Sequence, residues 1–468
     1  MGEAGGFGAA ARILLHTALA TATLFALALL VFAAPYDKPT GDAPRYIVLG
    51  ANLYQHGLIS NRPFDADVAP APALPVGGPL TAIELAAAMA VDPVTRQSFV
   101  CFLTAAECDF EFPGLRTFHV VELALFLAAL WWIGFRLTGR AGVAWVAVGT
   151  ALACKDFTFD ARFVLTEPLS LAAIGGFLVC WLAVWEKPTH LTRAAALGLA
   201  LAAIILVKPV FQALIPLTIA LFAATVLLRG RTVAFRDVLP SAAVFLAACL
   251  GTLAPFYVYF YLCCGTASLA DPSLLEAALS HRVAYNAMSV REWLAGWVYY
   301  LPDFGDNLAP ALFPDLTPFK LGWDANSYYV HGRDVLHAQA RAITAPEPAT
   351  GYLIWTYVLS DPLWHAATSA LLFWRGLFVG KLWGLVALFF LIAYPLIPKA
   401  PNRLEFLVVL LPILAIAGLQ SGISVSIPRY NLALILPMSI AFAWMVTAAY
   451  AWMRKNRRHF ASPLKPSD

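Results

Sequence analysis

Long apolar runs, separated by short polar breaks, recur from one end of the chain to the other. Ten of them read as helices, near 12–34, 117–137, 141–154, 164–185, 192–207, 210–228, 238–263, 378–397, 403–420 and 428–453. Few have a polar face, which is the pattern of a helix surrounded by hydrocarbon, where no water is present to satisfy peptide groups. A full crossing takes about 20 residues, so the runs at 141–154 and 192–207 are short for a span. The run from Ile13 to Ala34 is longer than the apolar part of a cleaved signal peptide and reads as a retained first helix.

Two long segments interrupt this pattern. Residues 35–116 and 265–377 hold most of the Pro, Asp, Asn and aromatic residues outside the runs. Short amphipathic pieces within them, such as Tyr46 to His56 and Leu80 to Met89, predict helices lying on a membrane surface. Orientation follows from the basic residues, since short cytoplasmic loops are enriched in Lys and Arg. With the N-terminus inside, the inner turns carry Arg136 and Arg140, Lys187 and Arg193, then Arg229, Arg231 and Arg236, then Lys399 and Arg403, and the tail adds Arg454, Lys455, Arg457 and Arg458. Both long segments then face away from the cytoplasm. Three parts are expected: a transmembrane module with the first outer loop (1–264), a second outer loop with surface helices (265–377), and C-terminal spans with a basic cytoplasmic tail (378–468).

Composition strengthens the membrane reading. Of 468 residues 60% are apolar and 13% charged, about half the charge of an average soluble domain. A soluble globule of this size has no way to hide so much apolar surface. The net charge of +3 is spread over short clusters rather than one stripe, which argues against nucleic acid as a partner. No Cys/His spacing of the zinc type occurs. Cys101 and Cys108 lie together in the first outer segment, where they form a disulfide or remain thiols.

Charged residues at the ends of the runs are the candidate chemistry. Asp42 follows the first run at the membrane boundary and begins an amphipathic helix in which Tyr46, Leu49 or Gly50, and Leu53 share a face. Asp before a helix that Pro44 starts also fits an N-cap, and the two roles are compatible. After the third run come Asp156, Asp160 and Arg162, and Glu167 stands at the edge of the fourth, where a carboxylate is costly unless paired or facing a polar cleft. Lys208 turns the chain between the fifth and sixth runs, and Arg429 opens the tenth. The topology puts all of these in one outer layer. Basic residues there also serve as headgroup anchors.

A mixed layer of this kind suits transfer of a sugar from a lipid phosphate. A carboxylate takes the proton of the acceptor hydroxyl, and cations hold the departing phosphate as its charge grows. A transporter or lipid flippase would instead show charges or Gly/Pro breaks near the bilayer midplane. Glu122, near the outer end of the second run, is the one mild exception. A scaffold without chemistry would leave Asp42 and Glu167 together without a reason.

Asp42-Ala43-Pro44-Arg45-Tyr46, Ala51-Asn52-Leu53 and Gly57 resemble the first-loop signature of GT-C membrane glycosyltransferases. Aminoarabinose transferases acting on lipid A, protein O-mannosyltransferases and transferases of lipopolysaccharide cores are the nearest likenesses. Gly78-Pro79-Leu80, Thr166-Glu167-Pro168-Leu169, and Arg429-Tyr430 with Pro437 extend the resemblance along the chain. It implies an all-α bundle of the GT-C type, with about ten spans. A polyprenyl-phosphate sugar donor, an inverting displacement and Asp42 as general base are implied as well. Two departures stand out: Ala43 replaces a frequent acidic residue, and Gly77-Gly78 replaces the Glu-Lys pair of the aminoarabinose enzymes. The second argues against that substrate and leaves phosphate holding to Lys208 and Arg429. Asp156, Asp160, Arg162, Glu167 and Tyr46 are then expected around the sugar and acceptor, with Tyr328, Tyr329 and His331 as candidates from the second outer loop. Asp37 is the rival of Asp42. A glycan, lipid or protein is the expected acceptor, the inner membrane the expected site, with the active site facing the periplasm. A divalent cation is compatible with the acidic layer but not demanded by any ligand spacing.

Overall fold

The structure is a computed structural model that describes residues 4–460 apart from 34, 37, 106, 230–233, 317–319 and 346, without the side chains of 4–10, 229 and 457–460. Asp37 and Arg231, together with the side chains of Arg229, Arg457 and Arg458, thus lie outside the described residues. No strand occurs among the described residues. The helix α1 (Ala4–Phe32) leads to a first surface segment with α2 (Ala43–His56), α3 (Pro79–Val91) and α4 (Pro93–Thr104). The central bundle follows as α5 (Pro113–Thr138), α6 (Ala141–Ala153), the single turn α7 (Lys155–Phe159), α8 (Glu167–Glu186), α9 (Leu191–Val207), α10 (Leu214–Arg229) and α11 (Phe235–Cys264). A second surface segment carries α12 (Pro272–Val283), α13 (Val290–Tyr299), α14 (Gly305–Leu312), α15 (Tyr328–His331), α16 (His337–Thr344), α17 (Thr350–Leu353) and α18 (Pro362–Gly376). The chain closes with α19 (Leu382–Leu396), α20 (Arg403–Ile423) and α21 (Ile435–Phe460). Pro opens α2, α3, α4, α5, α8, α12 and α18, where its missing N–H has no helical partner to lose.

Among the described residues, seven helical stretches are long and apolar enough to cross a membrane: Ala11–Phe32, Pro113–Thr138, Glu167–Glu186, Pro209–Leu228, Phe235–Cys264, Arg403–Ile423 and Pro428–Asn456. The other three expected spans are shorter helices, α6 with 13 residues, α9 with 17 and α19 with 15. The first two match the brevity of their apolar runs. Residues 378–381 fall outside α19 because Gly380 (φ +77°) and Lys381 (φ +57°) take the left-handed region and turn the chain before Leu382.

The alternation of inner and outer turns holds in three dimensions. At one end of the bundle Arg136 donates to the Glu186 carboxylate, Arg193 lies 3.7 Å from the same side chain, and Asn402 donates to the Leu137 carbonyl at 2.9 Å. These residues come from turns that the basic-residue pattern put on one side. The opposite end gathers Asp42, Glu167, Lys208 and Arg429.

Packing between spans is tight and uses backbone irregularities. Trp181 of α8 is fully buried and its indole N–H donates to the Val408 carbonyl at 2.7 Å. That carbonyl is open because Pro412, four residues on, has no N–H to give. Gly198 lets α9 close on α11, since a Cβ there would stand 2.4 Å from the Phe245 carbonyl oxygen. The surface layer is seated in the same way. Gly78 donates to the Val207 carbonyl at 3.0 Å, and a Cβ on it would lie 1.9 Å from the Leu206 oxygen, so α3 begins directly on the end of α9. Asp92 caps α4 and also accepts from the Gly114 N–H at 2.9 Å, fixing the start of α5. Cys101 and Cys108 form a disulfide beside this layer.

Candidate functional site

A cavity of about 620 Å³ opens at the end of the bundle that carries Asp42. Pro39 to Ala43 and Arg45 form one wall; Phe159, Asp160 and Phe163 to Leu165 form another. Ser424, Val425, Ile427, Arg429 and Tyr430 close a third side, and residues of the second surface segment close the fourth.

Asp42 occupies the N-cap position of α2, yet its backbone is in the right-handed helical region (φ −84°, ψ −21°) and its side chain makes no capping bond. The carboxylate instead faces Arg429, with Oδ2 3.4 Å from the guanidinium. Arg429 sits on a 3-10 turn, Pro428–Leu434, that Asn431 fixes by donating to the Gly376 carbonyl (3.1 Å) and to Ser426 Oγ (3.0 Å). Its Nε is also 3.4 Å from Glu167 Oε1, and Lys208 Nζ is 3.2 Å from that same oxygen. Glu167, 4% exposed, therefore has two cationic partners, which meets the condition set by its position at the edge of an apolar helix. Lys208 and Glu167 stand behind the cavity wall, whereas Arg429 lines it.

Asp160 lines the cavity from the 3-10 turn Asp160–Arg162 and is 7% exposed. Burial, reinforced by the nearby Glu167 charge and opposed by Arg429 and Lys208, pushes its carboxyl up to about 7. Asp156, four residues earlier, goes elsewhere: its Oδ2 accepts from the Gly380 N–H at 2.7 Å. Arg162 is half-buried outside the cavity lining, and its Nε has no hydrogen-bond partner among the described residues. Tyr46 packs between the surface layer and the bundle core, and burial holds its hydroxyl well above the ordinary phenol range.

Of the aromatic candidates, Tyr329 lines the cavity, while Tyr328 is buried behind it and His331 is exposed away from it. Two further wall residues lacked a strong signal. His281 and Trp323 flank Tyr329, with ring centroids 4.8 and 4.6 Å away. His281 shares one face of α12 with Leu274, Ala277 and Ala278, at helical spacing that the sequence does display. Trp323 sits in irregular chain and has no periodic signature.

Among the described residues, the acidic side chains at this end do not form a cluster for a cation: Asp156 holds the Gly380 turn and Glu167 is held by Lys208 and Arg429. Among the described residues, the grouping whose ligand atoms lie within reach of one ion is Glu84, His119 and Glu122, to one side of the cavity.

No family model matches the chain, and no curated protein matches it. The solved structure of the archaeal oligosaccharyltransferase AglB from Archaeoglobus fulgidus, in complex with an inhibitory peptide and a dolichol-phosphate, is similar at a TM-score of 0.50 and 12% identity. That likeness covers 98% of this chain and 53% of AglB, so the chain spans about half of that protein's length. ArnT from Cupriavidus metallidurans bound to undecaprenyl phosphate matches at a TM-score of 0.38 and 15% identity, over 92% of this chain and 78% of ArnT. At such identities the likeness to AglB concerns the fold alone. The chain is a multi-pass helical membrane protein with a fold of the GT-C type, as the first-loop signature implied.

Proposed function

We propose that this chain is a membrane glycosyltransferase that moves a sugar from a polyprenyl-phosphate donor to an acceptor hydroxyl. One observation carries the reading. Asp42 and Asp160 line a single cavity with Arg429, beside the surface helices, at one end of the apolar bundle. A carboxylate at a helix start that does not cap the helix is available for other work.

In this reading the acceptor hydroxyl attacks the anomeric carbon of the donor sugar and gives its proton to Asp42. The bond from that carbon to the phosphate oxygen breaks, and the lipid phosphate leaves with inverted configuration at the sugar. Arg429 holds the developing charge from the cavity wall, and Lys208 adds positive potential from behind Glu167. Asp160 and Arg162 on their shared turn, with Tyr46, shape the sugar side, while Glu167 and Asp156 keep the cations and the Gly380 turn in place. Tyr329, His281 and Trp323 offer aromatic faces to the acceptor, whether glycan, lipid or protein. The AglB and ArnT structures contain dolichol-phosphate and undecaprenyl phosphate respectively, which are lipids of the proposed donor class.

The proposed location is the inner membrane with the cavity toward the periplasm. The basic inner turns support this orientation, and so does the disulfide in the first surface segment, since such bonds persist in oxidising compartments. A strain lacking the chain should accumulate one undecaprenyl-phosphate sugar, and the purified chain should consume that lipid with release of undecaprenyl phosphate. Unchanged lipid pools together with no turnover of any lipid-linked sugar would refute the reading.

A further inference from the structure

Glu84 on α3 faces His119 and Glu122, which lie one turn apart on the same side of α5. The His119 side chain has no exposed surface, and those of Glu84 and Glu122 are nearly as buried. His119 Nδ1 lies 2.9 Å from the Ala161 carbonyl oxygen, so that nitrogen carries the hydrogen and donates it. Nε2 is thereby left with a lone pair turned toward two carboxylates. It has no hydrogen-bond partner, and neither does Glu84 Oε1 or Glu122 Oε2. The Nε2 to Oε1 separation of 3.6 Å is too long for a hydrogen bond. Three electron-pair donors thus converge in a buried space, where Glu84 and Glu122 also lie within hydrogen-bond reach of each other and His119 Nε2 is left without a partner.

We propose that Glu84, His119 and Glu122 bind a divalent transition-metal ion of the Zn²⁺ class, at a site separate from the cavity. One imidazole and two carboxylates make a zinc-type donor set, and ligand atoms about 2.0–2.2 Å from a tetrahedral ion stand about 3.4 Å apart, near the spacing of His119 and Glu84. Mg²⁺ and Ca²⁺ ask for six or more oxygens, more than two carboxylates and an imidazole supply. The ion's two positive charges balance two carboxylates, so the assembly is neutral between packed apolar helices. A ligating histidine that donates its other N–H to a carbonyl is the usual second support of such a site. Here that carbonyl belongs to Ala161, in the turn that presents Asp160 to the cavity. The ion would clamp α3, α5 and this turn together. Only this positioning role rests on the proposed transferase; ion binding does not.

The test uses the full chain in detergent, stripped with a chelator and dialysed against Zn²⁺ alone. One tightly held ion per chain by elemental analysis, with a higher Tm after loading, is expected. His119→Ala and the double variant E84Q/E122Q should each lose at least tenfold in affinity, while D42N/D160N keeps the ion. If those variants fail to fold, anomalous scattering at the zinc edge from wild-type crystals must place the ion between the three side chains. A folded wild-type chain that takes up no stoichiometric Zn²⁺, or an ion that D42N/D160N loses and E84Q/E122Q keeps, overturns the proposal. The three residues are then a proton-sharing carboxyl pair beside a neutral imidazole. No transfer assay enters, so this outcome is independent of whether the chain is a glycosyltransferase.

Discussion

The guanidinium of Arg429 lies 3.4 Å from the carboxylate of Asp42, joining residues 387 positions apart in the chain. The same guanidinium reaches Glu167 at 3.4 Å, so one cation is shared between a carboxylate that lines the cavity and one behind it. A phosphate entering the cavity would compete with Asp42 for that cation. Donor seating and release of the proposed base are then coupled events.

Asp42→Asn keeps the size of the side chain and removes its basicity. Transfer by the purified chain should fall by roughly 10²–10⁴-fold, the usual worth of a general base, with an unchanged gel-filtration profile. Asp42→Glu, displaced by one methylene, should retain part of the rate. Normal transfer by Asp42→Asn removes it as the base.

Asp160 makes stability depend on pH. Its carboxyl is held up to about 7 in the folded chain, mainly by burial; an unfolded Asp releases its proton near 4. The folded state therefore binds the extra proton in this window, and stability falls as the pH rises from about 4 to about 7. Asp160→Asn has no proton to lose, so its Tm should overtake that of the wild type between pH 5 and pH 8. Parallel Tm profiles would show that Asp160 titrates like an exposed carboxyl.

Glu167 neutralises two cations while itself nearly buried. Removing it by Glu167→Gln should cost roughly 2 kcal/mol, less than the 3–5 of a fully buried pair because Lys208 and Arg429 keep some contact with solvent. Adding Lys208→Met should recover part of that loss. Lys208→Ala alone should weaken apparent donor affinity; an unaltered KM for the lipid would exclude Lys208 from phosphate binding. Urea titrations of single and double variants read the stability terms.

At Gly78 even a methyl group collides with the end of α9. Gly78→Ala should lower stability by about 1–3 kcal/mol, typical of overpacking, visible as a lower Tm in detergent. Gly149→Ala is the matched control, since nothing lies within 4 Å of a Cβ there. Equal Tm values for the two variants would show that α3 is not seated on α9 as described.

Much of this architecture was legible because it follows from solvent. Apolar runs and basic turns delimit the spans, and the cost of an ion in hydrocarbon marks Glu167 as either paired or facing a polar cleft before any partner is known. Asp156 and Asp160 were harder. Four residues apart, they would share a helix face, but the backbone tightens from α to 3-10 at Asp160 and sends one to Gly380 and the other to the cavity. The wall formed by α12 was readable as a stripe from Leu274 to His281; Trp323 was not, since irregular chain carries no period. Glu122 stood out as a charge in an apolar run, but its partners depend on how α3 packs on α5. That packing is set by the Asp92 and Gly114 contact, a tertiary event without local sequence signal.

The two short central helices are those whose outer ends lead to Asp160 and Lys208. The helix α6 starts from the inner turn at which α5 ends but has 13 residues against 26, and α9 starts from the inner turn at which α8 ends, with 17 against 20. At 1.5 Å per residue their ends stop about 20 Å and about 5 Å short of their neighbours. Hydrophobic mismatch on this scale draws the adjoining leaflet inward. A bilayer that followed the shorter helices would bring its lipid down to the protein, and its thickness would then be a determinant of how readily a phosphate reaches these residues.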